Sequence, residues 1–512
     1  MKKLLLALLF FMPAPTFAQQ ALKIDPLTLV AVREARSIEA SLDLFPGWDF
    51  STAPVLLYRP GVQDVLLNTT DPPDGFTLYD GHSPLENEPI WIRNDSTHFD
   101  LDGQNTATQI DGQRVLVVAD PASQMRNDIR AFAGMASDQQ ERWLENWSFL
   151  GSPYDLITIM LHEGFHVHQY AKGEKFADES LIASYPLYDA TNNAMQALEG
   201  LILLDAARGA IDPAMALRLF AAVRSTRHAR LGAELTGYEL ANEYVEGLAK
   251  YVEYRFYMTG ASLVPHPETY LMAGFDGYDR LAERFDDQLE FAELVIRGEI
   301  AVNNDRFGAG NLRFRLYPMG ALQGLLLDQV FPDWTGRIFD PGVFPSTMLV
   351  EAAGLSASEA DAALDEAKAQ YGYDSLFQKK EVYEQEGLAA AQNKATSLVE
   401  TGQTLVRIQY GALSDESPDL GFTPFGVTPL GNGQAIYELV PINADFGEAS
   451  SLSVKIVTPV LVDTVKREIL FSVDMPAHEI IAAEGEIKTD AFDLIGGIKK
   501  VSTAGNEVSI EL

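Results

Sequence analysis

The spacing of apolar residues changes twice along the chain. Between residues 54 and 119, short apolar runs are separated by clusters of proline, glycine and aspartate, a pattern typical of β-strands joined by turns. From about Met125 to about Gly402, apolar residues recur every three or four positions, as they do on the buried face of an α-helix. From about Thr404 the period becomes two. The pattern predicts an α+β fold with a mostly helical core, a small N-terminal sheet and a C-terminal β-sandwich.

These changes of period also set the expected domain boundaries. Residues 19–124 are predicted to form an N-terminal α/β part, which begins with an amphipathic helix over 25–42. Residues 125–402 are predicted to form the helical core, and residues 403–512 the β-sandwich-like domain. A chain of 512 residues is long enough for two or three domains of this kind.

Within the helical region, the pattern is clear enough to place individual helices. Ser356 followed three residues later by Glu359 predicts a capping box at one helix start. Pro318 predicts the start of another helix, which ends near Asp328. The helix that starts at Ser356 is predicted to cover 356–371. Further helices are predicted at 188–208, 212–231, 235–257 and 375–399.

The N-terminus has the three parts of a secretory signal. Lys2 and Lys3 are followed by the uncharged run 4–12 and by small residues up to Ala18. We therefore expect residues 1–18 to be a signal peptide that is cleaved after Ala18. The apolar run is too short to span a bilayer, and a chain with no cysteine has neither a lipid-modified cysteine nor disulfides. The sequence predicts an exported, periplasmic or extracellular protein with no membrane anchor.

The charge of the chain narrows its partners. There are 73 acidic and 38 basic residues, which gives a formal net charge of −35. So acidic a chain is a poor partner for nucleic acid or for an anionic membrane. The charge also keeps a protein soluble, and the sequence leaves the oligomeric state open.

The candidate chemistry lies in the helical region, at His162-Glu163-Gly164-Phe165-His166. In this H-E-x-x-H pattern, the two histidines are four residues apart and share one face of a helix, so both can bind one zinc ion. Glu163 lies about 100° further round the helix, where it can act as a base without binding the metal. His168 falls on the opposite face, whereas Gln169 returns to the face of the two histidines.

Two core histidines would produce the same pattern without any chemistry. However, the run 156–161 before the motif is strongly apolar, and unpaired imidazoles and a carboxylate are costly in such surroundings. We therefore expect one zinc ion per chain. A catalytic zinc usually has three protein ligands, so a carboxylate or histidine from a later helix should complete the site.

A second motif offers that carboxylate. Glu246-Gly247-Leu248-Ala249-Lys250-Tyr251 fits the pattern Glu-Gly-x-Ala-x-Tyr. Together the two motifs resemble the gluzincin zinc peptidases, and especially their aminopeptidase-like members, whose third ligand is a glutamate in this context. The resemblance implies a zincin-like catalytic core in which Glu246 binds the metal. The chain departs from thermolysin-like enzymes in two ways, because Glu246 follows His166 by 80 residues and Lys250 stands where they have an aspartate.

Two other glutamates are alternatives for the third ligand. Glu199 lies inside a very apolar predicted helix, where a carboxylate needs a buried partner such as a metal or an arginine. Glu243 precedes Glu246 by one helical turn. Glu239, Glu243, Glu246 and Glu253 also share one helical face, which is what a solvated face looks like.

The resemblance implies peptide hydrolysis, with Glu163 as the general base that passes a proton to the leaving amine. A tyrosine supports the reacting oxygen in the resembled aminopeptidases, and Tyr317 is the candidate here, with a core tyrosine as the alternative. His228 is a second candidate, although a surface or salt-bridging role fits it as well. Arg313 or Arg315 is a candidate for binding a substrate carboxylate, with an ion pair as the alternative.

Two rival functions remain at this stage. A zincin scaffold that has lost its activity would act as a binding or adhesive protein, with the C-terminal β domain as the binding module. The intact Glu163 argues against that loss. The same machinery also hydrolyses bonds other than peptide bonds.

Overall fold

The computed structural model describes a chain that is α+β. The described residues are 21–81, 83, 85, 88–95, 105–110, 112–121, 123, 152–173, 175–298, 310–400, 402–411, 418–422, 426–438, 441–447, 450–483 and 485–512. The predicted signal peptide and the predicted helical onset at Met125 lie outside these residues.

The N-terminal part consists of one helix and one sheet. Helix α1 spans Pro26–Leu42 and begins after Asp25, whose side chain accepts a hydrogen bond from the backbone N–H of Leu27. The sheet has the strand order β3-β4-β2-β1-β6-β5, with β1 parallel to β6 and the other pairs antiparallel. Its strands are β1 Val55–Arg59, β2 Gln63–Leu67, β3 Thr77–Leu78, β4 Ile90–Arg93, β5 Thr106–Ile110 and β6 Gln113–Ala119.

The predicted small sheet is therefore confirmed, and β5 is a strand that the sequence pattern did not predict. Its residues, Thr106 to Ile110, are mostly polar or half-buried, so they lack the apolar alternation that marks a strand. It pairs with β6 across the turn at Gly112 and lies at the edge of the sheet.

The helical core follows. Its first three described helix starts have a local cause: Ser152 and Asp155 form a capping box with Pro153 at the first helical position, and Asp189 and Asp212 cap the next two helices. The helices are α2 Pro153–Lys172, α3 Ala190–Ala207, α4 Pro213–Leu231, α5 Ala233–Thr259, α6 Leu281–Arg297, α7 Gly310–Val330, α8 Pro345–Ala353, α9 Ala357–Gln370 and α10 Tyr373–Glu400.

The capping box of Ser356 and Glu359 is confirmed at the start of α9. The prediction that a helix starts at Pro318 is wrong, because Pro318 lies inside α7, which begins at Gly310. Proline favours the first turn of a helix, since it has no N–H to donate, and here it stands within a longer helix instead. Helices α6 and α8 were not predicted.

The C-terminal strands form two antiparallel-rich sheets that pack face to face, as predicted for a β-sandwich. One has the order β17-β18-β7-β14-β13-β10-β9 and the other the order β15-β16-β12-β11-β8. Phe471 and Phe492, one from each sheet, meet with their ring centroids 5.2 Å apart. The strands are β7 Thr404–Gln409, β8 Asp419–Gly421, β9 Val427–Gly431, β10 Gln434–Tyr437, β11 Ile442–Asp445, β12 Ser451–Val454, β13 Val460–Asp463, β14 Glu468–Val473, β15 Glu486–Lys488, β16 Phe492–Ile495, β17 Lys500–Ala504 and β18 Glu507–Glu511.

The two largest apolar cores among the described residues hold most of them together. One joins α1, the inner face of the N-terminal sheet and the helices. The other fills the sandwich and extends to Tyr185, Tyr238, Leu312 and Leu316 of the helical part. The sandwich therefore packs on the helical part, chiefly on α10 and on the 3-10 helix Glu179–Ser184. Among the described helices, none has both the length and the apolarity needed to cross a bilayer.

Candidate metal centre

Two helices bring the histidines and the glutamate together. Helix α2 lies in the apolar core, and His162 and His166 are buried on it, with 7% and 4% of their surface exposed. Helix α5 packs against α2 and carries Glu246, which is half-buried. Gln169, at the end of α2, donates a hydrogen bond of 2.8 Å from its amide to the backbone carbonyl of Tyr244 on α5. This bond fixes the two helices against each other beside the site.

A third helix, α7, crosses α5 at a pair of glycines. A Cβ atom added to Gly320 would lie 2.2 Å from the carbonyl oxygen of Glu243, and one added to Gly247 would lie 2.5 Å from the Cα of Gly320. Only glycine permits so close an approach of two backbones. This close approach of α5 and α7 brings Arg313 and Tyr317 of α7 to Glu246.

The three predicted ligands converge on one point. Oε2 of Glu246 lies 3.4 Å from Nε2 of His162 and 3.6 Å from Nε2 of His166. The three residues offer ligand atoms that all lie within 4.8 Å of one another. Two atoms that each bind zinc at about 2.1 Å with a tetrahedral angle lie about 3.4 Å apart. The donor set and its spacing therefore fit a zinc ion, with two imidazole nitrogens and one carboxylate oxygen.

Each of the two histidines makes a hydrogen bond through its Nδ1 atom, and this bond orients the ring. Nδ1 of His162 donates to Oε1 of Glu253 at 2.8 Å, and Nδ1 of His166 donates to the amide oxygen of Gln169 at 2.8 Å. A proton on Nδ1 leaves the lone pair of Nε2 for a metal, which is how outer carboxylates and amides orient metal-binding histidines. Lys250 in turn donates to Glu253 at 2.7 Å.

Glu163 lies beside the three ligands without joining them. It is half-buried, and its surroundings raise the pKa of its carboxyl. Burial is the main cause, the charges of Glu246 and Glu253 add to it, and the two histidines oppose it. A carboxylate at this position is able to accept a proton from a small molecule bound in front of the histidines.

Two tyrosine rings flank the histidine pair. The ring of Tyr317 stacks on that of His162, with centroids 5.9 Å apart and an interplanar angle of 12°. The ring of Tyr170 stacks on that of His166, at 6.0 Å and 15°. Burial and the charge of Glu246 raise the pKa of Tyr317 well above its usual range, so its hydroxyl keeps its proton. Tyr317, the candidate for the tyrosine that supports the reacting oxygen, thus lies at the site.

The pKa values of the candidate ligands depend on the charges and hydrogen bonds of their neighbours. Burial alone lowers the pKa of His162, but hydrogen bonds to Glu246 and Glu253 outweigh burial and raise it to about 10. Burial alone raises the pKa of Glu246, but its contacts with His162 and His166 hold it well below its usual range. Glu253 behaves similarly, since the charge of Lys250 and the bond to His162 outweigh burial and lower its pKa.

The structure places Glu199 away from the two histidines. Its Oε1 lies 2.8 Å from Nε of Arg227 and its Oε2 lies 3.0 Å from Nε of Arg224. Its buried partners are thus two arginines of α4, the alternative that the sequence left open. Glu243 is occupied in the same way, with Arg224 donating to both of its oxygens at 2.9 Å.

His228 also belongs to this ion-pair network. Its Nε2 lies 3.2 Å from Oε2 of Glu239, which is paired with Arg227 as well. His228 therefore has the salt-bridging role and is not part of the group of predicted metal ligands. The interpretation of the acidic face of α5 as solvated is wrong, because Glu239 and Glu243 are fully buried and Glu253 is only 9% exposed.

The two candidate arginines of α7 point to different partners. The guanidinium of Arg313 donates to Oε1 of Glu246 at 2.9 Å, so Arg313 lies at the candidate site and is bound to the predicted third ligand. Arg315 is buried and donates to the side-chain oxygen of Asn193 at 2.6 Å. Arg315 is thus not brought to the histidine pair.

Sequence reasoning missed the outer partners of the histidines. Glu253 lies seven residues after Glu246, which returns it to the same face of α5 after two turns, so the helical period was an available signal. The outer role of Gln169 had a weaker signal, because it was placed on the face of the histidines and no partner was assigned to it. Tyr170 follows His166 by four residues on α2, so the helical period was an available signal for it as well.

Comparisons of the chain with protein-family models, with curated proteins and with solved structures found no match. The gluzincin resemblance of the two motifs therefore stays a prediction.

Proposed function

We propose that this protein is a zinc-dependent peptidase in which His162, His166 and Glu246 hold the ion and Glu163 is the general base. The observation that carries the proposal is the spacing of 3.4 and 3.6 Å between Oε2 of Glu246 and the two Nε2 atoms. The orientation of both histidines by partners on Nδ1 supports it. We further propose that the mature protein acts after export, on peptides or proteins.

The ligand number supports a catalytic rather than a structural ion. Three protein ligands leave one position of a tetrahedral zinc ion open, whereas structural sites are closed by four protein ligands. A glutamate as the third ligand is also what the motif Glu246-Gly247 implies by its resemblance to the gluzincins.

The positions of the side chains support a role for each of them. A bound zinc ion would supply a Lewis acid and would lower the pKa of water toward about 7. Glu163 accepts the proton of the attacking water and returns it to the leaving amine. Tyr317 keeps its hydroxyl proton and donates a hydrogen bond to the oxygen of the scissile carbonyl as that oxygen becomes negative.

The test compares the purified wild type and three variants, Glu163→Gln, His166→Ala and Glu234→Gln, in a peptide-library digest and in elemental analysis. We expect one zinc ion per chain in the wild type and in Glu163→Gln, and a loss of zinc in His166→Ala. Glu163→Gln should lower hydrolysis by about 100- to 10,000-fold, because it removes a general base and leaves the ligands in place. Glu234→Gln is the matched control, since Glu234 is exposed on α5 and far from the ligands in sequence.

Two results would contradict the proposal. Equal zinc in the wild type and in His166→Ala would mean that the ion lies elsewhere. If the wild-type protein holds zinc and cleaves no peptide, it is not a peptidase. It would then be a metal-binding protein or a hydrolase of another kind of bond.

A further inference from the structure

The guanidinium of Arg313 lies between two carboxylates. One nitrogen donates to Oε1 of Glu246 at 2.9 Å, and the other lies 3.5 Å from Oε1 of Glu179. The side chains of Arg313 and Glu246 are 15% and 13% exposed, so water screens their interaction only weakly. Each carboxylate meets one nitrogen of the guanidinium, Glu246 through a hydrogen bond and Glu179 through a longer ion-pair contact.

This contact divides the two oxygens of Glu246. Oε2 faces both histidines, whereas Oε1 faces away from them toward Arg313. A carboxylate that is free to turn can offer one oxygen or both to a cation. We propose that Arg313 is a positioning residue, which restricts Glu246 to binding the metal through Oε2 alone. The inference rests on the proposed function, because it assumes that Glu246 is a ligand.

The restriction has two consequences for a zinc site. A second oxygen from Glu246 would take up a coordination position, and catalytic zinc needs one position open for water and substrate. The cation beside Oε1 also withdraws electron density from the carboxylate, so Glu246 is a weaker donor and the metal a stronger Lewis acid.

Arg313 is itself held on its other side. Oε2 of Glu179 accepts a hydrogen bond from the hydroxyl of Tyr238 at 3.3 Å, and Tyr238 lies on α5, two turns before Glu246. Glu179 begins the short 3-10 helix Glu179–Ser184. The guanidinium is thus fixed between α5 and this segment. An arginine so engaged is not available to bind a substrate carboxylate, the role that the sequence had suggested for it.

The test measures the coordination of the metal, because a purely structural ion pair would leave that coordination unchanged. Cobalt replaces zinc, since the intensity of its visible absorption falls when the ion changes from four ligands to five. We expect Arg313→Met to weaken this absorption and to lower kcat/KM by about 10- to 100-fold, the range for an outer partner of a metal ligand. Arg313→Lys keeps the charge without the fork and should recover part of the absorption.

Arg315→Met is the matched control, since Arg315 is a buried arginine of the same helix that binds Asn193 instead. It should keep the wild-type cobalt absorption. If Arg313→Met and Arg313→Lys both bind cobalt with the wild-type absorption, Arg313 does not set the coordination and the inference is wrong. Wild-type protein that binds no cobalt through Glu246 would instead overturn the proposed function, so the two failures are distinct. If Arg313→Met does not fold, Arg313→Lys and Glu179→Gln carry the same measurement.

Discussion

At the scale of residues, the candidate site and the arginine network use the same kind of side chain for opposite purposes. Glu246 and Glu199 are both acidic residues of helices in the core. Glu246 meets two imidazoles, whereas Glu199 meets two arginines. The first arrangement could hold a metal ion, whereas the second is closed by its two arginines.

This difference predicts opposite effects of the same substitution. Glu246→Gln should lower zinc affinity by orders of magnitude, because an amide oxygen is a poor ligand compared with a carboxylate. Glu199→Gln should leave zinc affinity nearly unchanged and lower the free energy of unfolding by about 3–5 kcal/mol, since it breaks a buried ion pair. Zinc titration of the apo proteins and urea unfolding measure the two effects. A larger loss of zinc affinity in Glu199→Gln would reverse the assignment of the third ligand.

The H-E-x-x-H residues could be predicted from sequence because their geometry is local, fixed by the period of one helix. Glu246 could be proposed from its motif, but choosing it over Glu199 required knowing which residues of other helices lie nearby. Arg224 and Arg227 come from α4, and no local pattern shows that they turn toward Glu199.

At the scale of elements, the crossing of α5 and α7 determines whether the site can assemble. Gly247 and Gly320 let the two backbones touch, and the predicted ligand Glu246 directly precedes Gly247. The wrong prediction for Pro318 concerns the same helix. A proline usually marks the first turn of a helix, and nothing in the sequence indicated that α7 begins at Gly310 and continues through Pro318.

We expect Gly320→Ala to lower the free energy of unfolding by about 1–3 kcal/mol, because the new methyl group meets backbone atoms that cannot turn aside. It should also weaken zinc binding, since α5 and α7 must separate. Gly237→Ala is the control: Gly237 is exposed on α5 with open space around it, so alanine there should add up to about 1 kcal/mol. Urea unfolding and zinc titration of both variants are the measurement. Equal stability in the two variants would mean that the crossing is not tight.

The buried network between α3, α4 and α5 predicts a dependence of stability on pH. Burial alone raises the pKa of Glu239, but Arg227 and His228 outweigh burial and hold it well below its usual range. A carboxyl whose pKa is lower in the folded state stabilises the fold above its unfolded pKa of about 4.3, and this stabilisation is lost as the pH falls through the folded pKa.

The free energy of unfolding of the wild type should therefore fall more steeply below about pH 4 than that of Glu239→Gln, whose side chain does not titrate. Glu239→Gln should also be the less stable protein at pH 7. Urea unfolding at a series of pH values measures both slopes. Parallel slopes would show that Glu239 carries no part of the acid sensitivity.

At the scale of the whole molecule, the sandwich and the helical core share an apolar cluster, so the sandwich covers side chains of the helices. Tyr238, Leu312 and Leu316 belong to the same apolar cluster as the sandwich. Leu312 and Tyr238 are neighbours in sequence of Arg313 and Glu239. The change of period at residue 404 predicted the sandwich, but not its docking, because an apolar residue of a helix looks the same whether it faces another helix or a sheet.

We expect a chain that ends at residue 402 to aggregate and to bind hydrophobic dyes, because its helices would expose the apolar side chains that the sandwich covers. It should also hold less zinc than the full chain. Tyr238 donates to Glu179, Glu179 contacts Arg313, and Arg313 holds Glu246, so a loss of packing at Tyr238 would loosen Glu246. Size-exclusion chromatography, dye fluorescence and elemental analysis test this. A monomeric fragment with wild-type zinc affinity would make the sandwich an independent module.

The bonds that hold the ligands have a consequence for when the ion arrives. Glu253 holds His162, Gln169 ties α2 to α5, and Arg313 holds Glu246, and each of these contacts forms between protein groups alone. In zinc fingers the metal drives folding, because the apo chain has no other way to gather its ligands. Here the helices gather them, so we expect the chain to fold first and to be metallated afterwards. Metal supply in its compartment would then regulate how many copies work, while leaving the number of folded copies almost unchanged.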